Sequence, residues 1–336
     1  MFKLKRLKSF LKRWSSDQKL QRRQQKSKIE VEMAVFDSKE ELGPLSPKDR
    51  IRRSVLKEGW LQLSDRVVET DEDIERALVL HFTKAFQKRK QWLRDWFDEN
   101  LGRVPDEAWP SIDTPCSKEE VQHAVFGIEA DKAPGPDGVG ARFYQAFWDL
   151  VKQDVMEMFH TFFSGTQGIG CLNATFFALI PEKGAVQVGD FRPISLINGS
   201  YKLIEKVLAN RLKLVIAHMV EENQIAFILG CLLQDGFMVT QEYVSAMHRD
   251  KRQGLVIKLD FSKAYDNVDW DFLLKLLQRY GFEPNWIRMV RECISMAKAS
   301  VLDNGKPCGF FHLNKGIRHG DPLSPLLFVV VTNVFS

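Results

Sequence analysis

The segment Val256-Ile257-Lys258-Leu259-Asp260 constrains this chain more than any other. An apolar run that ends on a carboxylate is how a buried strand delivers an acid to the rim of a sheet. Phosphoryl transfer by two metal ions needs at least two such acids, because the ions sit ~3.5–4 Å apart and share ligands. The 336 residues offer Asp260 as one good catalytic and metal-ligating candidate and no plausible partner after it.

Composition allows a large packed core. Hydrophobic residues make up 44% of the chain and 24 residues are Phe, while 27% are charged, which argues against global disorder. The net charge of +4 is unevenly placed. Residues 1–28 hold 11 Lys and Arg against one acid, a net of +10, which leaves −6 for the rest. The basic head suits non-specific phosphate binding, whereas any nucleic-acid affinity of the body must come from local patches. The five cysteines form no CxxC pair and no zinc-like spacing, which points to a reducing, intracellular setting. No apolar run is long enough to span a membrane. The N-terminus lacks the apolar core and cleavage site of a secretory signal.

Along the chain, Leu4, Leu7, Phe10, Leu11 and Trp14 predict a basic amphipathic helix, and residues 15–50 read as a polar linker. Residues 51–104 look mainly helical, with acids at 71–73 opening one helix and Ser117-Lys118-Glu119-Glu120 forming a capping box. Lys132-Ala133-Pro134-Gly135-Pro136-Asp137-Gly138 is a rigid turn. One long helix is expected next, with Phe143, Phe147, Val151, Val155, Phe159 and Phe162 on a stripe that Gly165 ends. A strand at 172–181, an extended stretch at 191–196, and helices at 201–220 and 233–249 follow. Asp269 caps a helix closed by Gly281, and another helix covers 285–296. Asp303-Asn304-Gly305-Lys306 signals a hairpin. Ser324 as cap and Pro325 at the first helical position start a final helix, although Phe328–Val331 has strand propensity.

Each motif alone has a plain structural reading. Asp260 could be a capping or paired acid, and 132–138 merely a turn. Their order is more specific. The blocks KAPGPDG (132–138), LIPEKG (179–184), DFRPISL (190–196), KVLANRL (206–212), QIAFILG (224–230), LDFSKAYD (259–266) and GIRHGDPLSPLLF (316–328) occur in sequence. With them the chain resembles the reverse transcriptases of non-LTR (LINE-type) retrotransposons, most closely those of plants.

The resemblance implies an α/β, right-hand polymerase fold. Fingers and an incomplete palm would occupy 131–336, after a basic helix and linker (1–50) and a helical region (51–130). It implies RNA-directed DNA synthesis with Mg2+, an RNA template, a DNA primer and dNTPs, without membrane or obligate protein partners. Asp260 would be the first metal ligand and Phe261 would assist through its carbonyl. Tyr265 would lie under the incoming sugar and exclude a 2′-hydroxyl. Asp266 would be a structural hydrogen-bond partner. Lys183 and Arg192 would grip the triphosphate, as a point charge and a forked donor. Gly135, Asp137 and Gly138 would place a loop near the template backbone. Gly316, Arg318 and Gly320 would let the main chain approach template and nucleotide.

Three departures matter. His319 stands where the family has Gln in the nucleotide pocket. The stretch 224–231 loses a proline and an arginine. The aromatic-x-Asp-Asp hairpin, the thumb and an endonuclease domain are not among these 336 residues. The expectation is therefore a truncated, catalytically silent polymerase. The alternatives are a non-catalytic RNA- or DNA-binding remnant, and a chain that aggregates through an unpaired sheet edge.

Overall fold

The computed structural model describes residues 71–88, 104–109, 112, 114–182, 188–221, 224–228, 230, 232–254, 260–295 and 297–335, with 28, 29, 31–36, 39, 46, 49, 52 and 53 before them. The helix expected over 1–14, Lys183 and the strand expected over 256–259 lie outside the described residues.

Two compact units divide the chain. The described residues of the smaller fall within 1–78, 181–191 and 303–306. Residues 31–36 are helical where a linker was expected, because Ile29, Met33 and Phe36 recur at helical spacing and bury Phe36. Arg52 pairs with Glu32 at 3.0 Å, and Ser46 accepts from the backbone N–H of Asp49 at 3.2 Å.

The larger unit comprises 79–180, 192–302 and 307–336. Among the described residues its strands come as two consecutive pairs set between runs of helices, and they form a four-stranded sheet in the order β2-β1-β3-β4. These are β1 (Ala174–Pro181), β2 (Phe191–Ile197), β3 (Lys298–Asp303) and β4 (Lys306–His312). β1 runs parallel to β3, with Ala174 opposite Lys298 and Ala178 opposite Leu302. β2 lies at an edge, where Pro193 costs no ladder bond. The expected hairpin joins β3 to β4 through Asn304 (φ 51) and Gly305 (φ 82), the positive-φ pair that a tight turn requires.

The first described helix, α1 (Asp71–Ala85), opens on acids as expected. Phe82 and, just past its end, Phe86 meet Phe177 of β1 at ring distances of 5.9 and 5.6 Å, and Phe82 stacks on Phe311 of β4 at 6.2 Å. In α2 (Lys118–Phe126), Ser117 accepts from Glu120 N–H at 3.1 Å. The predicted long helix is two helices, α3 (Ala141–Ala146) and α4 (Trp148–Ser164), broken at Phe147. The break rotates Phe143 and Phe147 out of the stripe into solvent, and Trp148, Val155, Phe159 and Phe162 form the buried face instead.

The core centres on α5 (Gly199–Met219). Tyr201, Ile204, Leu208, Leu212, Val215, Ile216 and Met219 are buried at helical spacing, each worth roughly 1.5–3 kcal/mol for an aliphatic side chain. α6 (Leu233–Arg249) leaves Phe237, Met238 and Val239 exposed. Asp269 caps α7 (Trp270–Arg279) by accepting from Phe272 N–H at 2.9 Å, and Pro284 opens α8 (Pro284–Ile294). Residues 328–331 are helical, inside α9 (Ser324–Thr332), because tertiary burial overrides their strand propensity. α9 packs against α5 and α7.

Candidate functional site

Three pieces of the larger unit meet at the loop 315–323, which precedes α9. On one side the loop follows residues 265–270. Gly316 N–H donates to Val268 O at 2.7 Å, Ile317 N–H to Tyr265 O at 2.9 Å, and Trp270 Nε1–H to Gly316 O at 2.7 Å. On the other side, Ser195 N–H of β2 donates to His319 O at 2.8 Å. Glycine is required at 316. Its φ is 82, and a Cβ would sit 2.9 Å from Asp266 O. The cap of α9 is a correction. The N-cap position is Leu323, not Ser324, and its side chain makes no capping bond; the Asp321 carboxylate accepts from Ser324 Oγ–H at 2.7 Å and from Ser324 N–H.

Side chains of this loop divide by direction. Arg318 points inward. Its guanidinium donates to Glu205 Oε1 at 2.9 Å, Asn173 Oδ1 at 2.6 Å and Cys293 O at 3.0 Å, and lies 4.5 Å over the Tyr201 ring. Asp321 is 3.7 Å away. Burial, reinforced by Asp321, pushes the Glu205 carboxyl well above the ordinary range, and burial also raises Asp321. Burial opposes the charge on Arg318, but Tyr201, Glu205 and Asp321 together hold it firmly protonated. The Arg318 guanidinium is thereby turned into the fold, and Gly316 is likewise buried.

His319 and Gly320 face outward. The His319 ring stacks on Tyr265 at 4.6 Å and 23°, and Tyr265 also stacks on Phe328 of α9 at 4.6 Å and 26°. Asp266, in the 3-10 turn Tyr265–Asn267, is buried, with Oδ1 3.4 Å from His319 Nε2. Tyr265 is half-buried, and burial raises its phenol above the usual value. Burial lowers the pKa of His81 on α1, with Lys263 adding to the effect and Asp266 opposing it. The sequence reading missed Glu205, Asn173, Ser195 and Phe328. Glu205 was detectable, because it falls on the buried stripe four residues after Tyr201.

Arg192 is exposed on β2, three residues or about 10 Å along the strand from Ser195. Asp260 and Phe261 are exposed immediately before the turn that carries Tyr265. Among the described residues, no group of three or more His, Cys, Asp or Glu side chains is arranged to hold a metal ion. Asp260 is one exposed carboxylate, and Asp266 is turned to His319. Among the described residues this donor set falls short of a two-ion Mg2+ centre.

The 132–138 segment is a turn, as expected. Gly135 is buried, and a Cβ there would lie 2.4 Å from the Ile197 carbonyl carbon, so packing by itself accounts for this glycine. Both carboxylate oxygens of Asp137 are engaged, one by Val139 N–H at 3.0 Å and one by Gly199 N–H at the start of α5 at 3.2 Å. Gly138 is exposed, with φ 70 and open space around it.

The profile of the reverse transcriptase (RNA-dependent DNA polymerase) family matches residues 180–336, the span that holds β2, the Tyr265 turn and the Gly316–Gly320 loop. Residues 180–336 are a reverse transcriptase domain of the non-LTR retrotransposon class. The chain is 29% identical over 242 residues to an uncharacterized 149 kDa protein of transposon TX1 from Xenopus laevis, covering 70% of this chain and 18% of that protein. It is 26% identical over 219 residues to a retrovirus-related Pol polyprotein of the type-1 retrotransposable element R2 from Popillia japonica, covering 65% and 30%. A Pol polyprotein of the type-2 element R2DM from Drosophila melanogaster is 24% identical over 205 residues, covering 61% and 19%. The chain thus spans less than a third of the length of each of these relatives. Reverse transcriptases as a family use Mg2+ and bind template and primer nucleic acid. No helix among the described residues of this reverse transcriptase domain is long and apolar enough to cross a membrane.

Proposed function

We propose that the domain takes part in RNA-directed DNA synthesis by holding the incoming deoxynucleotide and one metal-ligating carboxylate, rather than a complete two-ion centre. The observation that carries this reading is the outward pair His319 and Gly320, hydrogen-bonded to β2 and set against the Tyr265 ring. In this reading residues 131–336 supply fingers and part of the palm. Arg192 and Lys183 neutralise triphosphate oxygens, and the Arg192 fork suits two oxygens at once. Tyr265 lies under the sugar and selects against a 2′-hydroxyl. Phe261 contributes its carbonyl beside Asp260, a ligand of Mg2+. Gly320, at φ 105, lets the exposed main chain lie close to β2, where a Cβ would come 3.2 Å from Ser195 O, and this main chain faces the nucleotide in the proposal. Gly138 and the exposed edge of its turn are the part of 132–138 available to a template.

The test is nucleotide binding on an RNA template–DNA primer duplex, followed by primer extension. Arg192→Ala is expected to weaken dNTP binding by about tenfold, the value of one charge-assisted contact of about 1.5 kcal/mol. Binding that ignores Arg192→Ala and Tyr265→Ala would sink the site. Any incorporation must vanish in Asp260→Ala, and incorporation that survives it refutes the metal assignment.

A further inference from the structure

We propose that Asp266 is a positioning residue for sugar selection, acting on Tyr265 through His319. The proposal rests on Tyr265 being the sugar gate. Tyr265 has one aromatic neighbour on a helix, Phe328, and one on a loop, His319. A ring on a helix is held by its helix. A ring on a loop needs a separate restraint to stay parallel to its neighbour. The Asp266 carboxylate is the group placed to provide it, with Oδ1 3.4 Å from His319 Nε2.

That oxygen is buried and accepts no hydrogen bond, so it carries a desolvation cost that only a nearby donor relieves. The charged and titratable groups around it are His319 on the loop, His81 on α1 and Lys263 on its own turn. His319 is the one whose ring nitrogen comes within 4 Å of Asp266, at 3.4 Å. The backbone leaves Asp266 little freedom to look elsewhere. Tyr265 O is bound by Ile317 N–H, and the Asp266 carbonyl lies against Gly316 so closely that a Cβ there would be 2.9 Å away. Asp266, His319 and Tyr265 therefore form one short chain of contacts. A Gln at 319 could donate a hydrogen bond to Asp266 but could not stack as a ring on Tyr265. The histidine makes the gate stiffer, and its stiffness depends on Asp266.

The experiment uses two readouts on Asp266→Asn, His319→Gln and the double variant. The first is the ratio of dissociation constants for dNTP and rNTP on a template–primer duplex. The second is the ring motion of Tyr265, read as the 19F line width of 3-fluorotyrosine at that position. Asp266→Asn is expected to lower discrimination about fivefold and to sharpen the 19F signal, with no further change in the His319→Gln background, as for two residues acting as one unit. Equal losses in both backgrounds, or an unchanged line width, would overturn the proposal. If Tyr265→Ala leaves discrimination intact, the gate reading fails instead, and the line width still decides whether Asp266 restrains the ring through His319. Should Asp266→Asn not fold, His319→Phe keeps a ring but removes the nitrogen. A sharpened 19F signal in that variant supports the link, and an unaltered one removes it.

Discussion

Arg318 Nη2 lies 2.9 Å from Glu205 Oε1, with both side chains at most 4% exposed. One guanidinium beneath the 315–323 loop thus faces two buried carboxyls, Glu205 and Asp321, and ties the loop to α5. A buried cation of this kind is held by geometry, since desolvation offsets much of the attraction.

Removing that cation strands two acids. Arg318→Ala is expected to cost about 3–5 kcal/mol, read as a lower urea midpoint. Arg318→Lys recovers only part of this, because an ammonium cannot reach Asn173, Glu205 and Cys293 O together as a planar fork does. A wild-type midpoint in Arg318→Ala would show that the network contributes nothing.

Glu205 also predicts a pH dependence. Its folded pKa is raised by burial and by Asp321, so the folded state holds the proton more tightly than the unfolded chain. The sign follows from that. This contribution is fully present below the ordinary glutamate value of 4.5 and is lost as pH rises from there through the raised folded value. Glu205→Gln, neutral at every pH, is expected to flatten the fall in unfolding free energy between acidic and neutral pH. Parallel curves for the two proteins would contradict it.

Two glycines of the 132–138 turn separate packing from binding. Gly135→Ala drives a Cβ into the backbone of Ile197 and Asn198, at 2.4 and 2.5 Å, and is expected to cost more than about 4 kcal/mol. Gly138→Ala meets open space and carries only the left-handed strain of about 1–2 kcal/mol. Thermal unfolding should rank them in that order. Any template affinity of the turn is then measurable in Gly138→Ala, which is expected to fold.

Metal removal tests the place of Asp260. An exposed single carboxylate contributes little binding energy, and ligands stabilise a fold only through the sites they occupy. EDTA is therefore expected to leave the unfolding midpoint of this chain unchanged. A midpoint that falls on chelation and recovers with Mg2+ would reveal a metal site beyond the described residues.

Local chemistry was legible in the residues themselves. The Asn304-Gly305 turn, the Ser117 and Asp269 caps and the periodic stripe of α5 depend on a few neighbouring side chains and backbone angles. The ordered motifs from 132 to 328 likewise pointed to the reverse transcriptase class that the family match shows. The tertiary structure decided what each motif residue faces. It broke the helix at Phe147, where the apolar spacing read as continuous. It set Asp321 to accept from Ser324 at the start of α9, sent Arg318 inward to Glu205 from a position 113 residues away, and packed Gly135 against Ile197. Periodicity could mark Glu205 as buried but could not name its partner. A side chain's direction is set by whatever lies across from it, and burial and charge pairing over such separations exist only once the chain has closed on itself.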